Sequence, residues 1–337
     1  MSCFIITGGA GYIGSHVSKQ LLDHGHEVVI IDNLSTGFKH TIQTLSQYAK
    51  KRKASVSFYT VDLADTRRVE KIFKKHPCSG LIHFAASVVV PESVENPMKY
   101  YVNNTANSAH LIRLAIEYRI PKFIFSSTAA VYGDARAEDV PVIEAGKTIP
   151  INPYGWSKLF TEQFIQDAGK AHAEFKYVIL RYFNVAGADL DGLLGQSTEN
   201  ATHLVKVAAQ AATGKRKSVT VFGRDFDTPD GTGVRDYIHV ADLADAHIRA
   251  LEYLDNYESD IFNCGYGEGY SVDQIISTMK KVSGVDFEVQ SGARRPGDSA
   301  LLISNNTKIK EKMGWRPQYN NIEVICRTAF EWEQKLT

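Results

Sequence analysis

The sequence predicts an α/β protein: a doubly wound parallel sheet followed by a smaller C-terminal α/β region. Three observations carry this. Short apolar strands alternate with amphipathic helices through the first half of the chain. A glycine-rich turn, Thr7-Gly-Gly-Ala-Gly-Tyr-Ile-Gly14, stands between the first strand and the first helix. After Asn184, glycine and polar residues become frequent and the elements shorten.

Residues 4–6 form the first predicted strand, and Ile13, Val17 and Leu21 then recur at helical spacing. Residues 28–31 form a strand that ends at Asp32, and residues 56–61 one that ends at Asp62. A fourth strand covers 81–84. Residues 101–118 read as one helix with Ala109, Ile112 and Ile116 on a common face. Residues 123–125 form the fifth strand and lead into Ser126-Ser-Thr128. A helix carrying Tyr154 and Lys158 extends through residue 172, and residues 177–180 form the sixth strand. Residues 225–233 read as loop. Val240, Leu243, Ala244, His247, Ile248 and Leu251 make a helical stripe, followed by a strand at 261–264. That unit is expected to return to the sheet. The expected division is therefore 1–185, joined by 235–265, and 186–337.

The composition is that of a globular protein, with 44% hydrophobic and 23% charged residues among 337. Lys+Arg and Asp+Glu both number 38, so the formal net charge is zero. Bulk electrostatics therefore gives no reason to expect a nucleic-acid or membrane partner. No apolar run approaches the ~20 residues of a membrane span. The first seven residues lack the charged and long apolar regions of a signal peptide and read as a strand. Cys3, Cys78, Cys264 and Cys326 are scattered, with neither metal-ligand spacing nor a disulfide framework. Cys3 and Cys264 read as buried thiols. This pattern fits a reducing cytosol.

Gly8, Gly11 and Gly14 sit where a strand turns into a helix. Glycine lets the backbone approach a pyrophosphate, and the helix N-terminus offers free N–H groups and a positive dipole end. The spacing is GxxGxxG rather than GxGxxG. Asp32 at the end of the second strand suits adenosine ribose hydroxyls and would repel a 2′-phosphate, which favours NAD. Its other reading is a turn or helix cap, since Asp-Asn-Leu-Ser-Thr-Gly is turn-rich. Asp62 reads equally as an adenine contact or a cap for the next helix.

Tyr154 and Lys158 are four apart on a predicted helix and share a face. The lysine charge is expected to favour the phenolate and lower the tyrosine pKa from about 10. A dinucleotide loop with such a tyrosine implies hydride chemistry at a carbon bearing a hydroxyl.

Further motifs extend over nearly the whole chain: Asp32-Asn-Leu34, His83-Phe-Ala-Ala86, Tyr100-Tyr-Val-Asn-Asn104, Ser126-Ser-Thr-Ala-Ala130, Asn152-Pro-Tyr-Gly-Trp-Ser-Lys158 and Leu180-Arg-Tyr-Phe-Asn184. Asp230-Gly-Thr-Gly-Val-Arg-Asp-Tyr-Ile-His-Val240 and Arg294-Arg-Pro-Gly-Asp298 follow. With these the chain resembles the extended short-chain dehydrogenase/reductase superfamily, and within it the UDP-sugar 4-epimerases. The resemblance implies a Rossmann-like sheet and NAD held by Gly8, Gly11, Tyr12, Ile13, Gly14, Asp32, Asn33, Leu34, Asp62 and Leu63. Phe84, Ala85, Ala86, Asn103, Tyr154, Lys158 and Phe183 would complete that site. It implies a UDP-sugar held by Thr128, Tyr154, Asn184, His203, Leu204, Phe222, Arg235, Tyr237, Val272, Arg295, Asp298 and Leu302. Arg235 and Arg295 suit a diphosphate by charge and fork geometry. On residue type alone Phe222 reads equally as core, and both arginines as solvated surface charges. Isolated His203 has no metal partner at ligand spacing, and no metal is expected.

The implied reaction is reversible inversion at C4 of UDP-glucose and UDP-galactose through a 4-keto sugar. Tyr154 is the base, Lys158 its support, and Thr128 a partner of the same sugar oxygen. Two departures from the family stand out. Val88 replaces a lysine of enteric relatives, and Thr128 replaces the commoner serine. A 4,6-dehydratase would need an Asp-Glu pair after the Ser/Thr, where Ala129-Ala130 stands. UDP-glucuronate enzymes, and a non-catalytic NAD-binding regulator, are the remaining alternatives. Leu302 falls where family members border the C2 substituent, so UDP-GlcNAc and UDP-GalNAc are candidate substrates. Members commonly form homodimers through the 101–118 and 154–172 helices.

Overall fold

The structure, a computed structural model, describes residues 2–198, 201–295 and 298–336. Met1 of the N-terminal reading, and Pro296 and Gly297 of the 294–298 motif, lie outside the described residues. The first half runs β1 (Cys3–Thr7), α1 (Tyr12–Asp23), β2 (Glu27–Asp32), α2 (Lys39–Arg52), β3 (Val56–Thr60), α3 (Thr66–Lys75), β4 (Gly80–His83), α4 (Val90–Glu95), α5 (Pro97–Tyr100), α6 (Asn107–Glu117), β5 (Lys122–Ser126), α7 (Pro153–Ala171) and β6 (Lys176–Tyr182). The second half adds β7 (Asn184–Ala186), α8 (Leu204–Ala212), β8 (Ser218–Phe222), β9 (Val234–His239), α9 (Val240–Asn256), β10 (Asp260–Cys264), β11 (Gly269–Ser271), α10 (Val272–Ser283), β12 (Glu288–Gly292), β13 (Leu301–Leu302), α11 (Thr307–Lys312) and α12 (Ile322–Lys335).

Seven strands form a Rossmann-like parallel sheet in the order β10-β6-β5-β4-β1-β2-β3. Alternation along each strand divides its side chains between two layers. Ile5, Val29, Ile31, Leu81, Phe123, Phe125 and Ile179 meet Val69 and Ile72 of α3, Leu111 and Ala115 of α6, and Ile165 of α7. Phe4, Ile6, Val28, Ile30, Ile82, Ile124, Val178 and Leu180 meet Val17 and Leu21 of α1 and Leu243 and Leu251 of α9. The winding direction reverses between β1 and β4, so a crevice opens at their carboxyl ends, where such sheets bind ligands. From the second half, β10 pairs with β6 and forms the sheet edge. β9 is flanked by β11 and β13, with β7 also paired to it, and β12 pairs with β8.

The single helix expected over 101–118 is built differently. Helical structure begins at Pro97, Tyr101–Ala106 form a π-helix, and α6 follows. The wider turn coincides with side-chain contacts that the backbone pattern does not reveal. Asn104 accepts from the Ser87 amide at 2.8 Å and donates to Ser157 Oγ at 3.0 Å. Ile112 is buried with Leu111, Leu114 and Ala115, while Ala109 and Ile116 line an apolar groove against Phe164 of α7.

Cys3 is not a free thiol but is disulfide-bonded to Cys78, with Cα atoms 4.6 Å apart. The parallel pairing of β1 with β4 explains it, since the Ser79 amide donates to Cys3 O at 2.8 Å. A separation of 75 residues in sequence hides this proximity. Cys264 and Cys326 are free and buried. Among the described residues no helix is long and apolar enough to cross a membrane, and no three His, Cys, Asp or Glu side chains are grouped to hold a metal.

Candidate active site

The glycine turn occupies the crevice. Gly8 has φ +75°, and a Cβ there would lie 2.7 Å from the Ala85 amide nitrogen. A Cβ on Gly14 would lie 2.4 Å from Gly8 O. These two positions hold the turn against β4 and against its own helix, and only glycine fits. Gly11 is the N-cap of α1 and supplies no side-chain cap. The first amides of α1 therefore remain available to an anion.

Asp32 ends β2 and is buried. One oxygen accepts the Ala10 amide at 3.0 Å and the other the Leu34 amide at 2.8 Å. Leu34 reaches this bond with φ 60°. A carboxylate has about four acceptor sites, so capacity for ribose hydroxyls remains. Burial holds its pKa above the ordinary range. The residues present thus fit a dinucleotide: an uncapped helix, a glycine cradle and a carboxylate with spare acceptors. The helix-cap reading of Asp62 does not hold. Asp65 caps α3, accepting the Arg68 amide at 3.2 Å. Asp62 instead accepts from Asn33 Nδ2 at 2.6 Å and the Ala64 amide at 2.8 Å. Leu63 packs in the core beside Val69.

Further along, Tyr12 donates to Gly187 O at 2.6 Å, Ala85 backs the Gly8 turn, and Phe84 packs on His247 at 4.8 Å. Ala86 is half-buried, and Asn103 donates to Ser87 Oγ at 3.1 Å. Partly buried Ile13 packs on the core behind the loop.

Asn152 caps α7 by accepting the Gly155 amide at 2.9 Å, and Pro153 occupies its first turn. This places Tyr154 and Lys158 inward from β5. Tyr154 is buried, and the Thr128 side chain acts on its phenol in favour of the phenolate, while Thr128 Oγ1 accepts the Ala130 amide at 3.1 Å. Lys158 Nζ donates to Ser126 O at 2.8 Å. Tyr100 meets the Tyr154 ring edge-on at 6.4 Å.

The expected lowering of the Tyr154 pKa is reversed. Burial strips water from the phenolate and raises the pKa, against which the Thr128 hydrogen bond works. Burial also takes Lys158 down to about 7, with the Glu162 charge opposing. Helical spacing reports the lysine charge but not the desolvation of either group.

A second group lies across the cleft. Asn184, His203, Leu204 and Tyr237 line one small cavity with Gly187, Gln196, Lys206 and Trp332. The Arg235 guanidinium donates to the carbonyls of Val234 and Ser299 at 2.9 and 2.7 Å, so it is not a solvated surface charge. Arg295 lies over the Phe222 ring, 3.6 Å from its centroid. Phe222 is 36% exposed and is not core. The charge of Asp298 acts on both Arg235 and Arg295. Val272 packs on the main core at the start of α10, and Leu302 lies buried with Phe183, Tyr132 and Val142.

A family profile, described as "NAD dependent epimerase/dehydratase family", matches residues 4–265. The chain belongs to this family. It is 47% identical to the UDP-glucose 4-epimerase of Azospirillum brasilense, over 98% of this chain and 92% of that protein. A UDP-Glc/GlcNAc 4-epimerase structure from Campylobacter jejuni is 49% identical, with TM-score 0.85 over 99% of this chain and all of that one. The UDP-glucose 4-epimerase of Bifidobacterium longum, in complex with NAD+ and UDP, is 36% identical with TM-score 0.94, over 99% of this chain and 98% of that one.

Within this family member, several neighbours of the site were not anticipated. Gln196, Lys206 and Trp332 carry no motif and reach the cavity through tertiary packing. Glu162 and Arg181 did leave a signal. One stands four residues past Lys158, and the other is a charge inside an apolar strand.

Proposed function

We propose that this protein interconverts UDP-glucose and UDP-galactose by inverting C4, and that it also accepts UDP-GlcNAc and UDP-GalNAc. The observation that carries the reading is the Thr128–Tyr154–Lys158 cluster beside the glycine turn, with Ala129 and Ala130 where a dehydratase would need an acid and a base. NAD+, which the glycine turn and Asp32 would hold, would supply a reversible hydride acceptor for C4 of the sugar. Tyr154 removes the C4 hydroxyl proton and later restores it. Thr128 shares that oxygen and lends a hydrogen bond. Lys158, when protonated, supplies positive charge that offsets burial of the phenolate. Gly8, Gly11, Gly14 and Asp32 hold the dinucleotide. Arg235, Arg295 and Asp298 anchor UDP, which leaves the hexose free to turn over.

The division of labour places residues 1–185 and 235–265 on the cofactor and the remainder on the UDP-sugar. The 49% identity to a UDP-Glc/GlcNAc 4-epimerase supports the acetylated substrates, as does leucine rather than a bulkier tyrosine at position 302. The groove of Ala109, Ile112, Ile116 and Phe164, flanked by exposed Val102 and Phe160, supports a homodimer through α6 and α7. The Cys3–Cys78 disulfide removes the cysteine argument for a reducing cytosol.

The test is incubation with UDP-galactose and detection of UDP-glucose. Tyr154→Phe keeps the ring and removes the base, so kcat should fall by about 10²–10⁴. A rate close to that of the unsubstituted protein would remove the assignment.

A further inference from the structure

Three consecutive residues at the end of β5 are each latched to a different turn of α7. The Thr128 side chain acts on the Tyr154 phenol, Ser126 O accepts from Lys158 at 2.8 Å, and Ser127 Oγ donates to Glu162 Oε1. Tyr154, Lys158 and Glu162 follow at intervals of four, so all three lie on one helix face. Two of the three rungs hold the proposed reacting groups. The third holds a carboxylate that the reaction does not use.

Glu162 is fully buried, and Arg181 of β6 nearly so. Arg181 Nη2 donates to Glu162 Oε2 at 2.6 Å and Nε to Oε1 at 3.0 Å. Its Nη1 donates to Tyr132 Oη and Glu144 O, both at 3.1 Å. The Ser127 amide donates to Leu180 O at 2.9 Å, next to Arg181. Strand end, helix and neighbouring strand thus meet on one carboxylate. A buried charge that is paired this fully is rigid, since moving it would break several charge-assisted bonds at once.

We infer that Glu162 is a positioning residue: through Ser127 and Arg181 it fixes Thr128 against Tyr154, and its negative charge stands beside Lys158. The inference rests on the reading of Tyr154, Lys158 and Thr128 as the reacting set. The charged and titratable groups around Lys158 are few. Tyr154 and Glu162 belong to its own helix. His83 of β4 is kept neutral by burial, with its pKa down to about 3, and the Lys158 charge acts on it. Arg181 binds the same carboxylate that faces Lys158. Glu162 is the group that favours the protonated lysine.

The experiment compares unsubstituted protein, Ser127→Ala and Glu162→Gln. kcat and KM for UDP-galactose are measured across pH. Lys158 protonation is followed without substrate by NMR of isotope-labelled lysine, its signal assigned by loss in Lys158→Arg. Ser127→Ala keeps the buried ion pair and should lower kcat about tenfold or more with KM nearly unchanged, because Thr128 loses its anchor. In Glu162→Gln, Lys158 should lose its proton about one unit lower in pH, and the alkaline limb of kcat should move with it. A merely structural Glu162 would lower thermal stability and leave the lysine titration where it was. That result, or unaltered kcat in Ser127→Ala, overturns the inference. If Glu162→Gln does not fold, Ser127→Ala decides. If the unsubstituted protein is inactive on UDP-galactose while the lysine titration still shifts, the substrate reading fails and the coupling to Lys158 stands.

Discussion

At Leu302 the proposed acceptance of acetylated sugars comes down to a single side chain that can be tested. It is buried beside Phe183, Tyr132 and Val142, so its size is felt by its neighbours rather than lost to solvent. Leu302→Tyr adds a ring to this wall and should narrow the space at C2. Turnover of UDP-GlcNAc is expected to fall by about tenfold or more, while UDP-glucose changes little, as steric discrimination of this kind is worth about 1–3 kcal/mol. Overpacking could cost a similar amount in stability, so unfolding midpoints are measured alongside the paired substrate assays. Equal losses on both sugars would show that the wall does not discriminate. The identity of such residues is legible in sequence, but their electrostatics are not. Tyr154 and Lys158 could be paired from their spacing. Which way their pKa values move depends on burial by Tyr100, Phe125 and the strand ends, which spacing does not report.

At the scale of elements, the central strands β1, β2, β4, β5 and β6 were legible because each is a short apolar run largely buried on both faces. The glycine turn was legible for a different reason: its residue types answer to backbone sterics. Gly14→Ala tests this. The new methyl would meet Gly8 O at 2.4 Å, and the obstacle is backbone rather than a flexible side-chain end. The turn must shift away from the α1 N-terminus. NAD affinity should fall about tenfold or more, equivalent to about 1.4 kcal/mol, as read by calorimetry on protein whose circular dichroism is unchanged. Affinity within twofold would mean that the turn does not cradle the cofactor. What periodicity missed is the π-helix at Tyr101–Ala106. Apolar spacing over 101–118 fits one continuous helix, whereas Asn104 also bonds to Ser87 and Ser157, residues far away in sequence. The Cys3–Cys78 bond escaped for the same reason, since only the β1–β4 pairing brings the two together.

At the scale of the whole molecule, the buried histidines set how the fold responds to acid. His83, His239 and His247 are at most 2% exposed, and burial depresses their pKa values to about 3, about 3 and about 4. His83 lies between the hydroxyls of Thr7 and Ser108, and His239 Nδ1 accepts the Ala241 amide at 3.1 Å. His247 has Nδ1 at 2.8 Å from Leu243 O and no partner at Nε2. In the unfolded chain each titrates near about 6.5. Below that pH the unfolded state binds protons that the native state refuses, so stability is full above about 6.5 and falls as the pH drops. By pH 5 each ring should cost about 2 kcal/mol, which is a large share of a typical 5–15 kcal/mol. Asp236 and Asp242 act with the opposite sign. Burial holds their pKa values up, so the native state takes protons before the unfolded one does. Substitution separates the two effects. His247→Leu removes one protonatable ring without touching either carboxylate. Urea unfolding from pH 7 to pH 5 should then show a loss of stability smaller by about 2 kcal/mol than in the unsubstituted protein. Parallel pH dependences for the two proteins would mean that His247 takes up its proton within the native fold, and that its burial does not set the acid limit.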